Sequence, residues 1–186
     1  MTKNPAPRAL GVIPGRGGSK RLPRKNVRVI AGHPLIAHTI MAAQQSRALT
    51  DWLVSSEDDE ILDIARQYEA RVPFTRPAEL SGDQIRNIDV VAHALEFMEE
   101  RTGAQYDIVV LMQPTSPIRS ASHIDDAVQW LHDSDLDTVA SVKGPFKKRD
   151  PILKAIRDGI LEPYRPDEDE TCLLYTSDAA DEGLGV

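Results

Sequence analysis

The alternation of short apolar runs with amphipathic segments constrains the fold of this chain most. The first run, Arg8–Pro14 (RALGVIP), has the pattern of a buried strand that ends at a turn. Similar runs predict four further strands at Trp52–Ser55, Val72–Phe74, Tyr106–Met112 and Asp137–Val142. The run at 106–112 is apolar enough for a strand that is buried on both faces. Such runs are typical of a sheet that is covered by helices.

The segments between these runs have helical spacing. Pro34 suits the first turn of a helix, and the apolar side of that helix comprises Leu35, Ile36, Thr39, Ile40 and Ala43. Ser56, with Asp59 three residues later, predicts a second helix start. A third helix is predicted over Asp83–Arg101 with Gly103 at its end, and Ile124 lies in a fourth. This order predicts a three-layer α/β domain, with a mostly parallel sheet and helices on both faces.

The regular pattern ends after Val142, and we place the α/β domain at residues 1–145. Ile152–Ile156 and Ile160–Leu161 predict a hairpin, which we interpret as the start of a small second lobe at residues 146–166. Residues 167–186 begin with an acidic run and have no periodicity. We expect a disordered tail there, or sequence foreign to the gene.

Charge is distributed unevenly along the chain. Residues 1–50 contain nine Lys or Arg and no Asp or Glu, whereas the net charge of the whole chain is −7. A net acidic protein is a poor candidate for broad nucleic-acid binding, because that affinity depends on neutralising phosphates. A local basic cluster indicates instead a small polyanion held at one place, or cations that only solvate a surface loop.

Composition also bears on compartment and on metal chemistry. No run of eighteen apolar residues is present, so we expect no membrane partner. The single cysteine, Cys172, excludes an internal disulfide framework and a multi-cysteine zinc site. We therefore expect a cytoplasmic, reducing compartment. The acidic run Asp58-Asp59-Glu60 is more typical of a helix start than of a metal cluster.

A glycine-rich, basic turn follows the first predicted strand. Gly15–Asn26 reads GRGGSKRLPRKN and contains five cations: Arg16, Lys20, Arg21, Arg24 and Lys25. Glycine allows backbone N–H groups to approach an anion closely, and arginine can bind phosphate with two hydrogen bonds. The spacing matches neither a Walker A loop nor a dinucleotide fingerprint. The turn predicts a triphosphate site; an ordinary surface turn is the alternative.

The same residues carry a family resemblance. Ile13–Asn26 is similar to the opening motif of acylneuraminate cytidylyltransferases. Four further matches follow in the same order, at Gly32–Ile36, Val54–Asp58, Arg76–Leu80 and Leu111–Arg119. The family usually has alanine at position 15, often glycine at position 21, and commonly aspartate at position 57. The resemblance covers roughly residues 8–165 of the chain.

The resemblance implies a Rossmann-like nucleotidyltransferase fold and a defined reaction. CTP would react with a nine-carbon 2-keto sugar acid of the N-acetylneuraminate, legionaminate or pseudaminate type, giving a CMP-sugar for lipopolysaccharide or capsule synthesis. Arg16 and Lys25 would be catalytic, since they would stabilise charge at the phosphates. The nucleotide-binding residues would be Gly17, Gly18, Ser19, Lys20, Asn26 and Arg76. The sugar-binding residues would be Gln113, Thr115 and Ser116.

The resemblance also implies Mg²⁺ and a homodimer. The aspartates that hold the metal in the family lie in a later segment, so the metal ligands are unknown here and we expect a chain that is incomplete at its C-terminus. Three alternatives remain: a Kdo cytidylyltransferase, an NDP-sugar pyrophosphorylase of the same fold, and an inactive nucleotide-binding fragment. Gln113–Pro117 argues against the first, although by itself that segment could be an ordinary turn.

Overall fold

A computed structural model describes residues 6–19, 22–141, 154–157 and 160–163. The chain divides into two compact units, Met1–Ala140 and Ser141–Val186. The boundaries predicted at 145 and 166 remain predictions. The tail predicted at 167–186 lies outside the described residues.

The described residues form seven strands and four α-helices. The strands are β1 (Ala9–Pro14), β2 (Val29–Ile30), β3 (His33–Pro34), β4 (Asp51–Ser55), β5 (Ile108–Leu111), β6 (Lys154–Arg157) and β7 (Ile160–Pro163). The helices are α1 (Leu35–Gln45), α2 (Asp59–Gln67), α3 (Asn87–Thr102) and α4 (Ala121–Asp133), with short 3₁₀ helices at Lys25–Val27 and Ala78–Leu80. Within the described part of the chain, no helix combines the length and the apolarity needed to cross a membrane.

The central sheet is parallel, as predicted. Its strand order is β4-β1-β5, and both pairings of β1 are parallel. Pro14 is in register with Ser55, and Val12 is in register with Leu111. The three strands therefore end at one edge of the sheet, and the segments that follow them leave the sheet side by side.

Helices cover both faces of this sheet. Neighbouring β1 residues point to opposite faces, so Val12 packs with α3, whereas Ile13 packs with α1, α2 and α4. Both side chains are fully buried. Burial of one such aliphatic side chain contributes roughly 1.5–3 kcal/mol. The buried ends of β1 thus hold the turn that follows this strand against a rigid core.

The predicted strand at Val72–Phe74 is wrong. The backbone hydrogen bonds to this region lie outside those three residues: Val54 N donates to Arg71 O (2.9 Å), and Arg76 N donates to Ser56 O (2.8 Å). Between these bonds no ladder forms, and the Phe74 ring packs against two rings of α3 instead. The apolar residues of this run contribute to the core as side chains of a connecting segment.

Two other strand predictions also need correction. β5 is shorter than Tyr106–Met112, and among its residues only Ile108 is buried. The remaining residues are half-buried because β5 is an edge strand of the described sheet. The predicted strand at Asp137–Val142 forms no strand over 137–141, which are mostly exposed, and Val142 lies outside the described residues.

Two helices begin later than predicted. Asp58, rather than Ser56, caps α2, because its carboxylate accepts a hydrogen bond from Ile61 N (3.1 Å). The Ser56 hydroxyl accepts from Asp58 N instead (3.1 Å). The third helix begins at Asn87, four residues after the predicted start. Its predicted end at Gly103 is confirmed by a left-handed φ of 68°.

Two hairpins complete the described structure. In the second unit β6 and β7 pair antiparallel, which confirms the predicted hairpin. In the first unit β2 and β3 pair antiparallel around Ala31 and Gly32, whose φ angles are 48° and 86°. Two consecutive positive φ angles are characteristic of a type I′ turn. The β2–β3 hairpin leads directly into α1.

Candidate nucleotide-binding site

Three segments meet at the carboxyl edge of the sheet. The glycine-rich loop at residues 15–26 follows β1, the acidic start of α2 at residues 56–60 follows β4, and a proline-rich turn at residues 112–119 follows β5. Parallel α/β sheets bind their ligands at this edge. The predicted site residues that the structure describes therefore lie at this edge of the first unit. Lys20 is outside the described residues.

The glycine-rich loop is closed by hydrogen bonds to its own backbone. Ser19 N donates to Gly17 O (3.0 Å), and the Asn26 side-chain amide donates to Arg16 O (2.9 Å). Asn26 is buried, and its Oδ1 atom has no hydrogen-bond partner among the described residues. A buried oxygen of this kind is costly unless it is paired, so a ligand donor here would offset that cost.

A glutamate links this loop to the sheet edge. The Glu57 carboxylate accepts from Gly17 N (2.9 Å) and pairs with the Arg76 guanidinium. Arg76 Nη2 also donates to Gly15 O (3.0 Å), and the Arg76 side chain is only 3% exposed. Gly15 N in turn donates to Ser55 O (2.9 Å). The loop is thus fixed at Gly15 and Gly17 by contacts from two distant segments.

A second carboxylate fixes the other half of the loop. Asp58 caps α2 and pairs with the Arg24 guanidinium, which also pairs with Glu60. Hydrogen bonding to Arg24 is the main cause that lowers the pKa of Asp58 below its ordinary value. The same carboxylate lies against Gly17, so that a Cβ atom at position 17 would overlap with it. Gly17 is therefore required by the close approach of α2.

The predicted catalytic cations lie within this arrangement. Arg16 Nη1 is 3.1 Å from the Asp83 carboxylate, and both side chains are partly exposed. Lys25 is half-buried at the start of the 3₁₀ helix Lys25–Val27. Gly18 is exposed, and a Cβ atom at this position would meet no atom of the described residues within 4 Å. Gly18 is thus exposed on the outer side of the loop, whereas Gly15 and Gly17 are fixed on its inner side by Arg76 and Glu57.

The predicted sugar-binding residues form two successive turns. Ser116 N donates to Gln113 O (3.3 Å), and Arg119 N donates to Ser116 O (3.3 Å). Pro114 and Pro117 occupy the second positions of these turns, where proline is favoured. The Arg119 guanidinium donates to Gln113 O, and its burial lowers the pKa of this guanidinium. The roles predicted for Gln113, Thr115 and Ser116 remain predictions.

Comparison with known proteins identifies the family. The cytidylyltransferase family model matches residues 10–169. This chain belongs to the cytidylyltransferase family. Similar proteins include the CMP-N,N'-diacetyllegionaminic acid synthase of Legionella pneumophila (45% identical over 135 residues; 73% of this chain and 57% of the relative). The pseudaminic acid cytidylyltransferase of Campylobacter jejuni is 37% identical over 64% of this chain and 51% of its own length.

Other relatives extend the comparison. The N-acylneuraminate cytidylyltransferase of Escherichia coli O18:K1:H7 is 36% identical over 64% of this chain and 27% of its own length. A solved structure of CMP:2-keto-3-deoxy-manno-octonic acid synthetase complexed with CTP matches with a TM-score of 0.54 and 25% identity, over 68% of this chain and 48% of that one. The chain spans about half the length of the first two curated relatives. These matches confirm the predicted family and fold.

The contacts that organise this cytidylyltransferase site were missed from the sequence. The sequence marks Glu57 only as a departure from aspartate, and the family resemblance marks Arg76 only as a nucleotide-binding residue. The structure pairs Arg76 with Glu57 and Arg16 with Asp83. A usable signal existed, because Glu57 lies two residues after a predicted strand, at the edge where ligands bind.

Proposed function

We propose that this chain is part of an enzyme that joins CTP to a nine-carbon 2-keto sugar acid, giving a CMP-sugar and pyrophosphate. The hydroxyl oxygen at the anomeric carbon would form a bond to the α-phosphorus of CTP. The bond from that phosphorus to the bridging oxygen would break, pyrophosphate would carry away the electron pair, and the hydroxyl proton would pass to solvent. The observation that carries the proposal is the basic, glycine-rich loop held at the sheet edge in a cytidylyltransferase chain.

The loop would bind the phosphates of CTP. Gly18 is exposed on the loop, and its backbone N–H would act as an anion donor together with the Ser19 hydroxyl and Lys20. Gly17 would contribute by its close approach, since its own N–H is held by Glu57. Arg16 and Lys25 would stabilise the charge that develops on pyrophosphate as it leaves. Asn26 Oδ1, which is buried, could accept a hydrogen bond from the nucleoside. Arg76 would support the phosphate site from beneath the loop, where it contacts Gly15 O and the Glu57 carboxylate.

The sugar acid would meet the nucleotide from the neighbouring segment. Gln113, Thr115 and Ser116 follow β5 at the same edge as the loop. Their amide and hydroxyl groups are suited to the hydroxyls of a sugar acid. The named relatives act on legionaminic, pseudaminic and N-acylneuraminic acids, which supports a nine-carbon acid over the eight-carbon alternative.

Mg²⁺, a homodimer and a reducing cytoplasmic compartment complete the proposal. In the described residues no group of three or more His, Cys, Asp or Glu could hold a metal, and the carboxylates around the loop are each paired with arginine. Mg²⁺ commonly binds through one or two carboxylates together with phosphate oxygens, so it enters the proposal as the counter-ion of the triphosphate.

A thermal-shift titration of the chain with CTP, UTP, GTP and ATP, with and without Mg²⁺, tests the nucleotide. A ligand that binds only the folded state raises Tm. At a hundredfold excess over Kd it adds about 2.7 kcal/mol to the free energy of unfolding. We expect a CTP-selective rise that is lost in Arg16→Ala and kept in Arg66→Ala, an exposed arginine that pairs with Asp63 on α2. A rise with UTP or GTP instead would favour a pyrophosphorylase.

Turnover is a separate test. Pyrophosphate release from CTP should depend on a nine-carbon 2-keto acid and not on Kdo. Binding of CTP without release would identify this chain as a nucleotide-binding fragment that needs the remainder of the length found in its relatives. Release with Kdo alone would reassign the substrate to the eight-carbon acid.

A further inference from the structure

The Glu57 carboxylate binds two partners at once. One oxygen accepts from Gly17 N (2.9 Å), and the other pairs with the Arg76 guanidinium. Arg76 donates in addition to Gly15 O (3.0 Å). Glu57 and Arg76 thus form a clamp that closes on both ends of the Gly15-Arg16-Gly17 segment. Residues that are 40 positions apart in sequence are joined by this contact.

Two interpretations of the clamp are possible, and they make opposite predictions. Glu57 could imitate a phosphate, occupying the loop donors until CTP displaces it. Alternatively, Glu57 could hold the loop in its binding shape. The burial of Arg76 decides between them: its side chain is 3% exposed and contacts both Glu57 and Gly15 O, so displacing Glu57 would leave a buried cation without its carboxylate. A ligand at the surface of the loop would reach Gly18 and Ser19 without removing Glu57.

We propose that Glu57 is a positioning residue of the nucleotide site, which holds Gly17 N–H and Arg76 so that Gly18 N–H, the Ser19 hydroxyl and Arg16 face the triphosphate. This inference rests on the proposed function. Glu57 itself does not touch the phosphates; it acts through the loop. Loss of Glu57 would misplace the loop. Small errors of placement lower the rate strongly in phosphate sites, because catalysis there is mostly positioning.

Three variants test the proposal. Glu57→Gln keeps the size and one acceptor but presents an amide to the Arg76 guanidinium, so the clamp should open. Glu57→Asp keeps the charge with a shorter reach and should have an intermediate effect. Asp63→Asn removes a carboxylate from an exposed pair with Arg66 on α2 and is the matched control. All are measured in the 186-residue chain.

Two readouts separate a failure of this inference from a failure of the proposed function. Hydrogen–deuterium exchange of the ligand-free chain should quicken in the loop peptide of Glu57→Gln, and this result does not depend on CTP. Calorimetric titration should show Kd for CTP and for inorganic tripolyphosphate raised by the same factor, on the order of tenfold. A role in stability alone would lower Tm without this matched loss, and Asp63→Asn should behave as the wild-type chain.

Unchanged or tighter CTP binding in Glu57→Gln, beside a wild-type chain that binds CTP, would overturn the inference and leave the proposed function standing. A wild-type chain that does not bind CTP would overturn the proposed function, and the exchange data would then decide the clamp. If Glu57→Gln loses its cooperative melting transition, Glu57→Asp decides: a partial loss of affinity supports the clamp, and full affinity contradicts it.

Discussion

Two segments at the same edge of the sheet are held in position by different means. The glycine-rich loop after β1 depends on side chains from far away in sequence, with Glu57 and Arg76 on one half and Asp58 on the other. The turn after β5 depends on its own backbone and prolines, and the Ile118 side chain within it is 92% exposed. Long-range ion pairs place the candidate phosphate loop, whereas local turn chemistry places the candidate sugar segment.

The difference has a physical basis. Glycines give the loop close backbone approach at the cost of conformational entropy, so partners elsewhere must fix its shape. Prolines at the second turn positions restrict φ in advance, so the β5 turn needs fewer partners. The loop should therefore respond to substitutions at Glu57, Asp58 and Arg76, and the turn should respond mainly to its own residues.

Gly17→Ala should have the largest effect, because its Cβ atom would overlap with the Asp58 carboxylate. We expect a loss of about 1–3 kcal/mol in the free energy of unfolding, as is typical of overpacking, together with weaker CTP binding. Urea unfolding of this variant measures the loss. Gly18→Ala is the matched control: its Cβ would meet no atom of the described residues within 4 Å, and its stability should stay close to that of the wild-type chain.

Asp58→Asn should have a smaller, pH-dependent effect. Asparagine still caps α2 but no longer pairs as an anion with Arg24, whose side chain is 41% exposed, so the loss at neutral pH should be about 1 kcal/mol or less. The folded-state pKa of Asp58 lies below its ordinary value of 3.8. Its contribution is therefore complete above that value and is lost as pH falls through the folded pKa.

Unfolding curves of the wild-type chain and Asp58→Asn at a series of pH values measure this dependence. The two stabilities should converge in strongly acidic solution. A difference that stays constant from neutral to acidic pH would show that charge pairing with Arg24 does not hold this half of the loop.

Pro117→Ala tests the local side of the comparison. The folded turn can form without proline, so the change acts mainly on the unfolded chain and should cost about 0.4–1 kcal/mol. Hydrogen exchange in the loop at residues 15–26 should not change. Faster exchange there would mean that the two segments are coupled and would end the distinction between them.

Ala31→Asn should have the smallest effect, with the opposite sign. Ala31 has φ of 48° in the β2–β3 turn, a conformation that asparagine tolerates better than alanine. We expect a gain of roughly 0.5 kcal/mol or less, measured by urea unfolding, with unchanged CTP binding. A loss of stability would show that the turn does not depend on local backbone preference.

The sequence was sufficient for the parallel sheet and for the position of the loop. β1 and β4 are apolar runs bounded by turn residues, and the motifs that follow them predict one edge. The pattern was insufficient at Val72–Phe74 and Asp137–Val142, because apolar residues indicate burial without showing that a strand partner is present. The Glu57 contacts with Gly17 and Arg76 join distant positions, which no local spacing predicts.

The central claim is that the loop binds the phosphates of a cytidine nucleotide. Calorimetric titration of the wild-type chain and Arg16→Ala with CTP, CDP and CMP tests it most directly. We expect affinity to fall in that order for the wild-type chain, and Arg16→Ala to reduce the difference between CTP and CMP. Equal affinity for CTP and CMP, or a difference that survives in Arg16→Ala, would contradict the account.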